Sequence, residues 1–291
     1  MSETLWSFIR RAQERFEHAG IAREEAALNA ELLAMHALGW DRASLVARWR
    51  EPTPAGFIER YAPFVERRET REPVAYIVGS REFCGRLFEV TPAVLVPRPE
   101  TEGLVDAALE IAAPLSPESR VVDVGTGSGC IAVTLALERP SARITAIDIS
   151  AAALAVAQRN ATRWGAVRIT FIRASLLEAI APHGRTKSES VDVIVSNPPY
   201  VPLRNGHALQ AEVRDFEPQQ ALFAGDDGLG VIRVLLEQAA EVVRPGGWLL
   251  FELGVGQGEQ VERLVESAVW HLHETRADLQ GIPRVAMLQR R

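Results

Sequence analysis

The stretch that decides the fold is Val121-Val122-Asp123-Val124-Gly125-Thr126-Gly127-Ser128-Gly129-Cys130-Ile131. It begins as a short apolar run typical of a buried strand and ends where helical periodicity starts. Three alternating glycines lie between the two, and glycine lets a backbone turn tightly and approach a ligand without a Cβ clash. A strand, a glycine turn and a helix in this order are typical of a nucleotide-like site at the carboxyl end of a parallel strand.

The glycine spacing narrows the ligand class. The pattern is G-x-G-x-G, whereas dinucleotide-binding domains use G-x-G-x-x-G. The tighter form resembles the S-adenosylmethionine loop of Rossmann-like methyltransferases. We therefore predict that the loop binds this cofactor through Gly125, Thr126, Gly127, Ser128 and Gly129. Asp148 ends the next predicted strand, about 20 residues further on, where a carboxylate can accept both ribose hydroxyl hydrogens. An acid there suits NAD equally well, and it could also be a helix N-cap, a role for which Ser150 is as good a candidate.

Outward from the glycine loop, strand-like and helix-like segments alternate. Strands are predicted at Ile144–Asp148, Arg168–Ile172, Val191–Ser196 and Trp248–Glu252, with two further candidates at Val269–Glu274 and Arg284–Gln289. Helices are predicted at Ala151–Arg159, Leu229–Val243 and Gly258–Ala268. This alternation predicts an α/β fold with a doubly wound parallel sheet, closed by an antiparallel pair from the tail. The polar stretch His183–Ser190 is predicted to be an exposed loop.

The segments before the sheet differ in pattern. Residues 1–73 show helical periodicity and predict a small helical domain. Residues 74–96 contain short strand-like runs, Tyr76–Val78 and Val94–Val96 among them, and predict a β-hairpin connector. The catalytic domain is then expected to span 97–291.

The motif Asn197-Pro198-Pro199-Tyr200 follows the fourth predicted strand. Two successive prolines fix φ and remove two backbone donors, so that the Asn197 side-chain oxygen and the Pro198 carbonyl can converge as two acceptors. Two acceptors suit a planar NH2 group, and Tyr200 supplies a flat wall beside it. The motif therefore indicates methyl transfer to an sp2 nitrogen. In isolation the four residues could equally form a rigid turn at the end of a strand.

Taken together, these motifs resemble the HemK/PrmC-type glutamine N5-methyltransferases, which modify the Gly-Gly-Gln loop of bacterial peptide chain release factors. The similarity extends nearly from end to end, through Glu82–Gly85, Val94–Glu102 with its Pro-Arg-Pro-Glu-Thr run, Glu217-Pro218, Gly225–Leu229 and Glu252–Gly254.

The resemblance implies a helical N-terminal domain that docks the release factor and a Rossmann-like class I methyltransferase domain. It implies S-adenosylmethionine as methyl donor, S-adenosylhomocysteine as product, and catalysis at Asn197, Pro198, Pro199 and Tyr200. Asn197 would also contact the cofactor. The family usually has an acid followed by a bulky apolar residue near the adenine, and here Ser175 and Leu176 stand at those positions.

Composition excludes several classes of protein. Apolar residues make up 47% and charged residues 24% of the 291 positions, which argues against a disordered chain. A formal net charge of −6 disfavours bulk electrostatic binding of nucleic acid. Two cysteines alone make neither a disulfide framework nor a zinc site, and His271 with His273 lacks a third ligand, so no metal is expected. We see no secretory signal and no membrane span, and we expect a cytoplasmic enzyme.

Three alternatives stay open on the sequence alone. A glutamine methyltransferase acting on a ribosomal protein would carry the same catalytic motif. A nucleic-acid exocyclic-amine methyltransferase would methylate a similar planar NH2, but it should carry a basic groove, and the first 73 residues are nearly neutral. A nicotinamide-dependent oxidoreductase disagrees with both the glycine spacing and the Asn-Pro-Pro-Tyr motif.

Overall fold

The computed structural model describes residues 4–180 and 190–291, and this part of the chain divides into two units. The first unit contains the described residues up to Gly79 together with Gln210–Phe216, and the second contains Ser80–Leu209 and Glu217–Arg291. The division after Gly79 differs from the sequence-based boundary at residue 73. The predicted loop His183–Ser190 lies outside the described residues except for Ser190. Among the described helices, none has the length and apolar character needed to cross a membrane.

Five helices begin the first unit: α1 (Leu5–His18), α2 (Arg23–Leu38), α3 (Arg42–Arg48), α4 (Phe57–Glu69) and α5 (Val74–Val78). On α1 the buried residues are Leu5, Ile9, Ala12 and Phe16, which is the helical spacing seen in the sequence. They pack with residues of α2 and α4 into one apolar core, so the predicted helical domain is confirmed as a bundle.

Helix α5 corrects the sequence-based prediction of an extended segment at Tyr76–Val78. Pro73 precedes the helix, and its carbonyl accepts the backbone N–H groups of Tyr76 at 3.0 Å and Ile77 at 3.1 Å. Gly79, at φ 76°, ends the helix. Although these residue types favour strands, Tyr76 and Ile77 are buried, and tertiary packing decides the conformation here. The run Val94–Val96, also expected to be extended in a strand, forms no strand.

The second unit opens with the predicted hairpin, β1 (Ser80–Phe83) and β2 (Arg86–Glu89), which are antiparallel. Cys84 and Gly85 connect them with φ values of 47° and 70°. Positive φ at both turn residues matches the right-handed twist of the flanking strands. The hairpin is therefore confirmed, although it is shorter than the predicted connector.

The remaining elements of the second unit alternate as predicted. They are α6 (Glu102–Ala112), β3 (Arg120–Val124), α7 (Cys130–Glu138), β4 (Arg143–Asp148), α8 (Ala151–Trp164), β5 (Ile169–Arg173), β6 (Val191–Ser196), α10 (Gly230–Val242), β7 (Val243–Glu252), α11 (Gly258–Leu264), β8 (Trp270–Ala277) and β9 (Pro283–Arg290). The sheet has the strand order β5-β4-β3-β6-β7-β9-β8. The pairs among β3 to β7 are parallel, and β9 pairs antiparallel with both β7 and β8. The Rossmann-like fold with an antiparallel end is thus confirmed.

Successive side chains of the central strands point to opposite faces of the sheet, and each face carries an apolar core. Val121 and Val193 belong to one apolar cluster, whereas Val122 and Ile194 belong to the other. The strand order reverses direction at β3, which has β4 on one side and β6 on the other. In open α/β sheets such a switch point is where ligands bind, outside the carboxyl ends of the strands.

One short helix, α9 (Ala211–Phe216), belongs to the first unit although its chain neighbours belong to the second. Its Glu212 accepts hydrogen bonds from Arg68 Nη2 at 2.7 Å and from Arg71 Nη2 at 2.6 Å. Arg68 is only 1% exposed and also donates to Asn29 Oδ1 at 2.6 Å. These ion pairs lower the pKa of Glu212 although desolvation by burial opposes them. The helical bundle therefore contains a buried charge cluster completed by a segment from far along the chain.

Candidate active site

A cavity of about 420 Å³ lies at the carboxyl ends of β3, β4 and β6. Most of the predicted site residues line it: Gly125, Thr126, Gly127, Ser128, Asp148, Ser175, Leu176, Asn197 and Pro199. Gly129, Pro198 and Tyr200 stand next to lining residues but are not part of the wall. Lining residues that sequence reasoning did not assign to the site are Ala93, Val94, Leu95, Pro97, Arg98, Thr101, Cys130, Ile131, Ile149, Ala153, Ala174, Pro218, Gln220, Ala221, Gly230, Val231 and Val234. The volume and the largely apolar wall are those of a small-molecule site.

The glycine loop is shaped by close packing against α8. Gly129 has φ 79°, and a Cβ there would lie 2.9 Å from the Cβ of Ala157. Only glycine satisfies both the positive φ and this approach. Beneath the loop, Asp123 Oδ2 accepts the Thr126 hydroxyl at 2.6 Å and the Ala132 N–H at 3.1 Å, which ties the strand end to the turn and the helix.

Asp123 is fully buried, and its second oxygen, Oδ1, has no hydrogen-bond partner in the described part of the chain. Desolvation by this burial raises the pKa of Asp123 to about 7, although the bonds from Thr126 and Ala132 oppose the shift. Below about pH 7 the neutral carboxyl group is therefore favoured directly under the loop.

Asp148 lies at the end of β4 beside the loop. Its Oδ2 accepts the Gly127 N–H at 2.9 Å and its Oδ1 accepts the Ser150 N–H at 2.8 Å. The helix that follows is capped by Ser150, whose Oγ accepts the Ala153 N–H at 3.2 Å. Burial raises the pKa of Asp148. Since each carboxylate oxygen can accept more than one hydrogen, the side chain keeps acceptor capacity toward the cavity.

Ser175 and Leu176, the positions predicted near the adenine, line the same cavity. Leu176 has φ 46°, a left-handed conformation that non-glycine residues rarely adopt. The following N–H, that of Leu177, donates to Gln238 Oε1 at 2.8 Å, and this bond holds the turn in place.

The Asn197–Tyr200 loop is fixed from behind by Gln257. Its Nε2 donates to the Tyr200 carbonyl at 3.0 Å, and its Oε1 accepts the Gly254 N–H at 2.9 Å. A Cβ on Gly228 would lie 2.4 Å from the Tyr200 carbonyl oxygen, so the segment after the loop also packs directly on it. The loop is therefore held by backbone contacts that sequence reasoning did not find.

Behind the loop is a hydrogen-bonded chain of four side chains. Asn197 Nδ2 donates to Thr101 Oγ1 at 3.0 Å, and the Thr101 hydroxyl donates to Glu252 Oε2 at 2.6 Å. The Tyr200 hydroxyl donates to the other oxygen, Oε1, at 3.2 Å. Thr101 is 2% exposed and Glu252 is 1% exposed. Burial raises the pKa of Glu252 and also that of Tyr200.

The sequence offered a partial signal for this chain. Thr101 lies in the Pro-Arg-Pro-Glu-Thr run, and Glu252 ends a strand on the edge of the sheet where the site was expected. Nothing in the sequence paired them. An ion pair between the half-buried Arg98 and the buried Glu217 was missed in the same way: Arg98 Nη2 donates to Glu217 Oε1 at 2.7 Å, and burial raises the pKa of Glu217.

The cavity residues suit S-adenosylmethionine. The glycine loop gives close backbone approach, Asp148 offers a hydroxyl acceptor, and the wall from Val94 to Pro97 is apolar. Ser128 Oγ is buried without a hydrogen-bond partner in the described structure. Cys130 is buried, and desolvation raises the pKa of its thiol to about 12, which favours the packing role over a reactive one. Among the described residues, no cluster of three or more metal-ligating side chains occurs.

Comparison with known proteins places the chain in a family. Residues 7–79 match the family model described as PrmC N-terminal domain, and residues 104–215 match the one described as methyltransferase small domain. A protein of Koribacter versatilis named release factor glutamine methyltransferase is 46% identical over 260 residues, covering 89% of this chain and 90% of its own. The chain belongs to the release factor glutamine methyltransferase family.

Further members of the release factor glutamine methyltransferase family extend the similarity. The protein of that name from Nitratidesulfovibrio vulgaris is 41% identical over 295 residues, covering 99% of this chain and 95% of its own. The solved structure of a release factor-specific protein-(glutamine-N5) methyltransferase from Alicyclobacillus acidocaldarius is 31% identical with a TM-score of 0.42, and it covers 70% of this chain and 99% of its own. As a family member, the chain is an S-adenosylmethionine-dependent protein-glutamine methyltransferase.

Proposed function

We propose that the chain transfers a methyl group from S-adenosylmethionine to the N5 side-chain nitrogen of the glutamine in the Gly-Gly-Gln loop of peptide chain release factors. The observation that carries this proposal is Asn197 on the cavity wall: its amide nitrogen donates to Thr101, and its oxygen, which has no partner among the described residues, can accept from a substrate NH2. Family membership supports the choice of release factors as substrate. We expect the enzyme to act in the cytoplasm, on protein rather than nucleic acid.

The role that we assign to each residue follows from its position in the cavity. Gly125–Gly129 and Asp148 would hold the cofactor, with Ser175 and Leu176 beside the adenine. When bound, S-adenosylmethionine supplies an electrophilic methyl group on a positively charged sulfur and leaves as S-adenosylhomocysteine. The wall from Val94 to Pro97 would exclude water from the reacting atoms.

Asn197 and Pro198 would act on the nucleophile. An amide nitrogen is a poor nucleophile because its lone pair is delocalised, and two acceptors on its hydrogens return electron density to it. These hydrogen bonds strengthen as positive charge grows on nitrogen, so they favour the transition state over the ground state. The nitrogen gains the methyl carbon and then gives a proton to water, without a dedicated base. Tyr200, fixed by Glu252, would provide the flat surface beside the amide.

The direct test is mass spectrometry of a release factor incubated with the enzyme and S-adenosylmethionine, with a release factor whose motif glutamine is changed to asparagine as control. We expect a gain of one methyl group on the glutamine only. Asn197→Ala should lower the single-turnover rate by a factor on the order of 10²–10³, as for loss of one transition-state hydrogen bond. Asn205→Ala, at an exposed position, is the matched control and should transfer normally. Methylation of a ribosomal protein but not of the release factor would overturn the substrate assignment.

We further propose that the helical unit docks the release factor. Four of its large apolar side chains are exposed, namely Trp6, Leu28, Val46 and Ile58. Changing each to glutamate in the full chain should raise KM for the release factor while the rate on a short Gly-Gly-Gln peptide stays unchanged. Val167→Glu, on the second unit and also exposed, is the control. If all four variants kept the wild-type KM, the docking role would be wrong.

A further inference from the structure

The side chains of Asn197, Thr101 and Glu252 form a hydrogen-bonded chain that has one consistent direction when Glu252 is ionised. Glu252, when ionised, has no proton to give and accepts at both carboxylate oxygens, from Thr101 and from Tyr200. Burial raises the pKa of Glu252, whereas the hydrogen bonds from Thr101 and Tyr200 and the positive charge of Arg284 favour the ionised form. In the ionised form the Glu252 carboxylate can only accept hydrogen bonds, and this sets the direction of the chain.

Thr101 donates to Glu252 and therefore can only accept from Asn197. A hydroxyl has a single proton, and the 2.6 Å bond to Glu252 commits that proton to the carboxylate. Only lone pairs of the Thr101 oxygen then remain for Asn197, and a lone pair can bind the NH2 end of the amide but not its oxygen. The 3.0 Å contact between Asn197 Nδ2 and Thr101 Oγ1 agrees with this requirement.

The end of the Asn197 amide that faces the cavity decides whether the site can act on an NH2 group. With its oxygen toward the cavity, Asn197 accepts a hydrogen from the substrate amide. Rotated by half a turn, it would present its own NH2, and two donors would oppose each other. The two orientations have nearly the same shape, so packing alone distinguishes them poorly, whereas hydrogen-bond direction distinguishes them strongly.

We propose that Glu252 and Thr101 are positioning residues that, through a one-way hydrogen-bonded relay, hold the oxygen of the Asn197 amide toward the substrate nitrogen. This inference rests on the proposed function for its effect on catalysis, but not for the orientation of Asn197 itself. Neither residue needs to touch substrate or cofactor. Their contribution is to the orientation of a group that does.

The first experiment measures, without substrate, how fast the Asn197 side-chain NH2 protons exchange with solvent, which reports whether the NH2 group is bonded to Thr101. In protein labelled with 15N at asparagine, the side-chain NH2 protons of Asn197 should exchange slowly with solvent in the wild type. Thr101→Val keeps the shape but removes the acceptor, so exchange should quicken at least about tenfold, as expected for loss of one hydrogen bond. Thr101→Ser restores the hydroxyl and should restore slow exchange. Thr162→Val changes an exposed threonine and should have no effect. Equal exchange in wild type and Thr101→Val would overturn the relay.

The second experiment asks whether substitution of Glu252 has opposite effects on the methyl-transfer rate with asparagine and with aspartate at position 197. Glu252→Gln can donate its amide hydrogens to Thr101, which releases the Thr101 proton to point at position 197. With asparagine at 197 this favours the wrong amide orientation, and single-turnover methyl transfer should fall about tenfold. With Asn197→Asp the released proton instead satisfies the new carboxylate, so adding Glu252→Gln should raise the rate by about threefold or more.

A merely structural role for Glu252 would make its substitution harmful in both backgrounds, and that result would overturn the proposal. KM for the release factor should change little in either background, since only the orientation of Asn197 is altered. If the wild-type protein failed to methylate release factor at all, the proposed function would be refuted, while the exchange measurement would still decide the relay.

Discussion

The side chain of Asn160 fastens the hairpin to the glycine loop, and its removal should weaken the whole second unit. Asn160 is 0% exposed, and its Nδ2 donates to the carbonyls of Glu89 at 3.0 Å and Ser128 at 2.8 Å. Its Oδ1 accepts the Glu89 N–H at 2.7 Å. One amide thus satisfies three backbone groups on two separate segments.

Asn160→Ala leaves those three backbone groups without their partner. A buried unsatisfied group costs about 1–3 kcal/mol, and the two groups of Glu89 are partly reached by water, so the sum is about 3 kcal/mol. For a unit of this size that corresponds to a fall in Tm of about 6–12 °C. Asn160→Asp should be at least as harmful, because its second carboxylate oxygen would face two carbonyl oxygens.

The measurement is thermal and urea unfolding followed by circular dichroism, with Asn205→Ala as an exposed control that should shift Tm by less than about 2 °C. The variant Asn160→Ala should also bind S-adenosylmethionine more weakly, because the Ser128 carbonyl belongs to the glycine loop. If Asn160→Ala had the same Tm as the control variant, the three hydrogen bonds of Asn160 would contribute nothing to stability and the reasoning would be refuted.

Three further outcomes are expected. Asp148→Ala should weaken S-adenosylmethionine binding by about 1.5–3 kcal/mol, a ten- to hundredfold rise in Kd by calorimetry, and an unchanged Kd would remove Asp148 from the cofactor site. Asp123 has a pKa of about 7 in the folded chain, above its ordinary value, so the stability it contributes is present at low pH and is lost as pH rises from about 4 to about 7. Relative to Asp123→Asn, the wild type should lose up to about 4 kcal/mol of unfolding free energy over that interval in urea titrations, and parallel pH profiles would contradict the shift. Glu212→Ala leaves Arg68 buried beside fewer acceptors and should cost about 3 kcal/mol in thermal unfolding; Glu69→Ala, which breaks an exposed pair, should cost less than about 1 kcal/mol, and equal effects would show that burial is irrelevant.

The features that the sequence predicted well are those formed by contiguous residues. The glycine loop, the strand before it and the helix after it occupy one short stretch, so the sequence carries their spacing directly. Strand β6, predicted at Val191–Ser196, has the same bounds in the structure. Buried parallel strands are nearly continuous apolar runs, and this makes their positions easy to recognise.

The errors arose where packing between distant segments overrides local preference. Tyr76–Val78 has strand-forming side chains but is helical, because Pro73 and Gly79 bracket it and the bundle core buries Tyr76 and Ile77. Long-range pairing was likewise beyond the sequence: Glu212, on helix α9, pairs with Arg68 and Arg71, which are 144 and 141 residues away. Neither local composition nor periodicity contains information about such partners.

By itself, the sequence determined the fold class, the family and the residues able to carry the chemistry, since each of these depends on short-range pattern. Only the tertiary structure decided how the chemical groups are oriented. Asn197 is joined to Thr101 across 96 residues, and Thr101 to Glu252 across 151. A hydrogen bond depends on the direction of one proton and on tenths of an ångström, and those quantities exist only after the sheet has brought β6, β7 and the segment before α6 together.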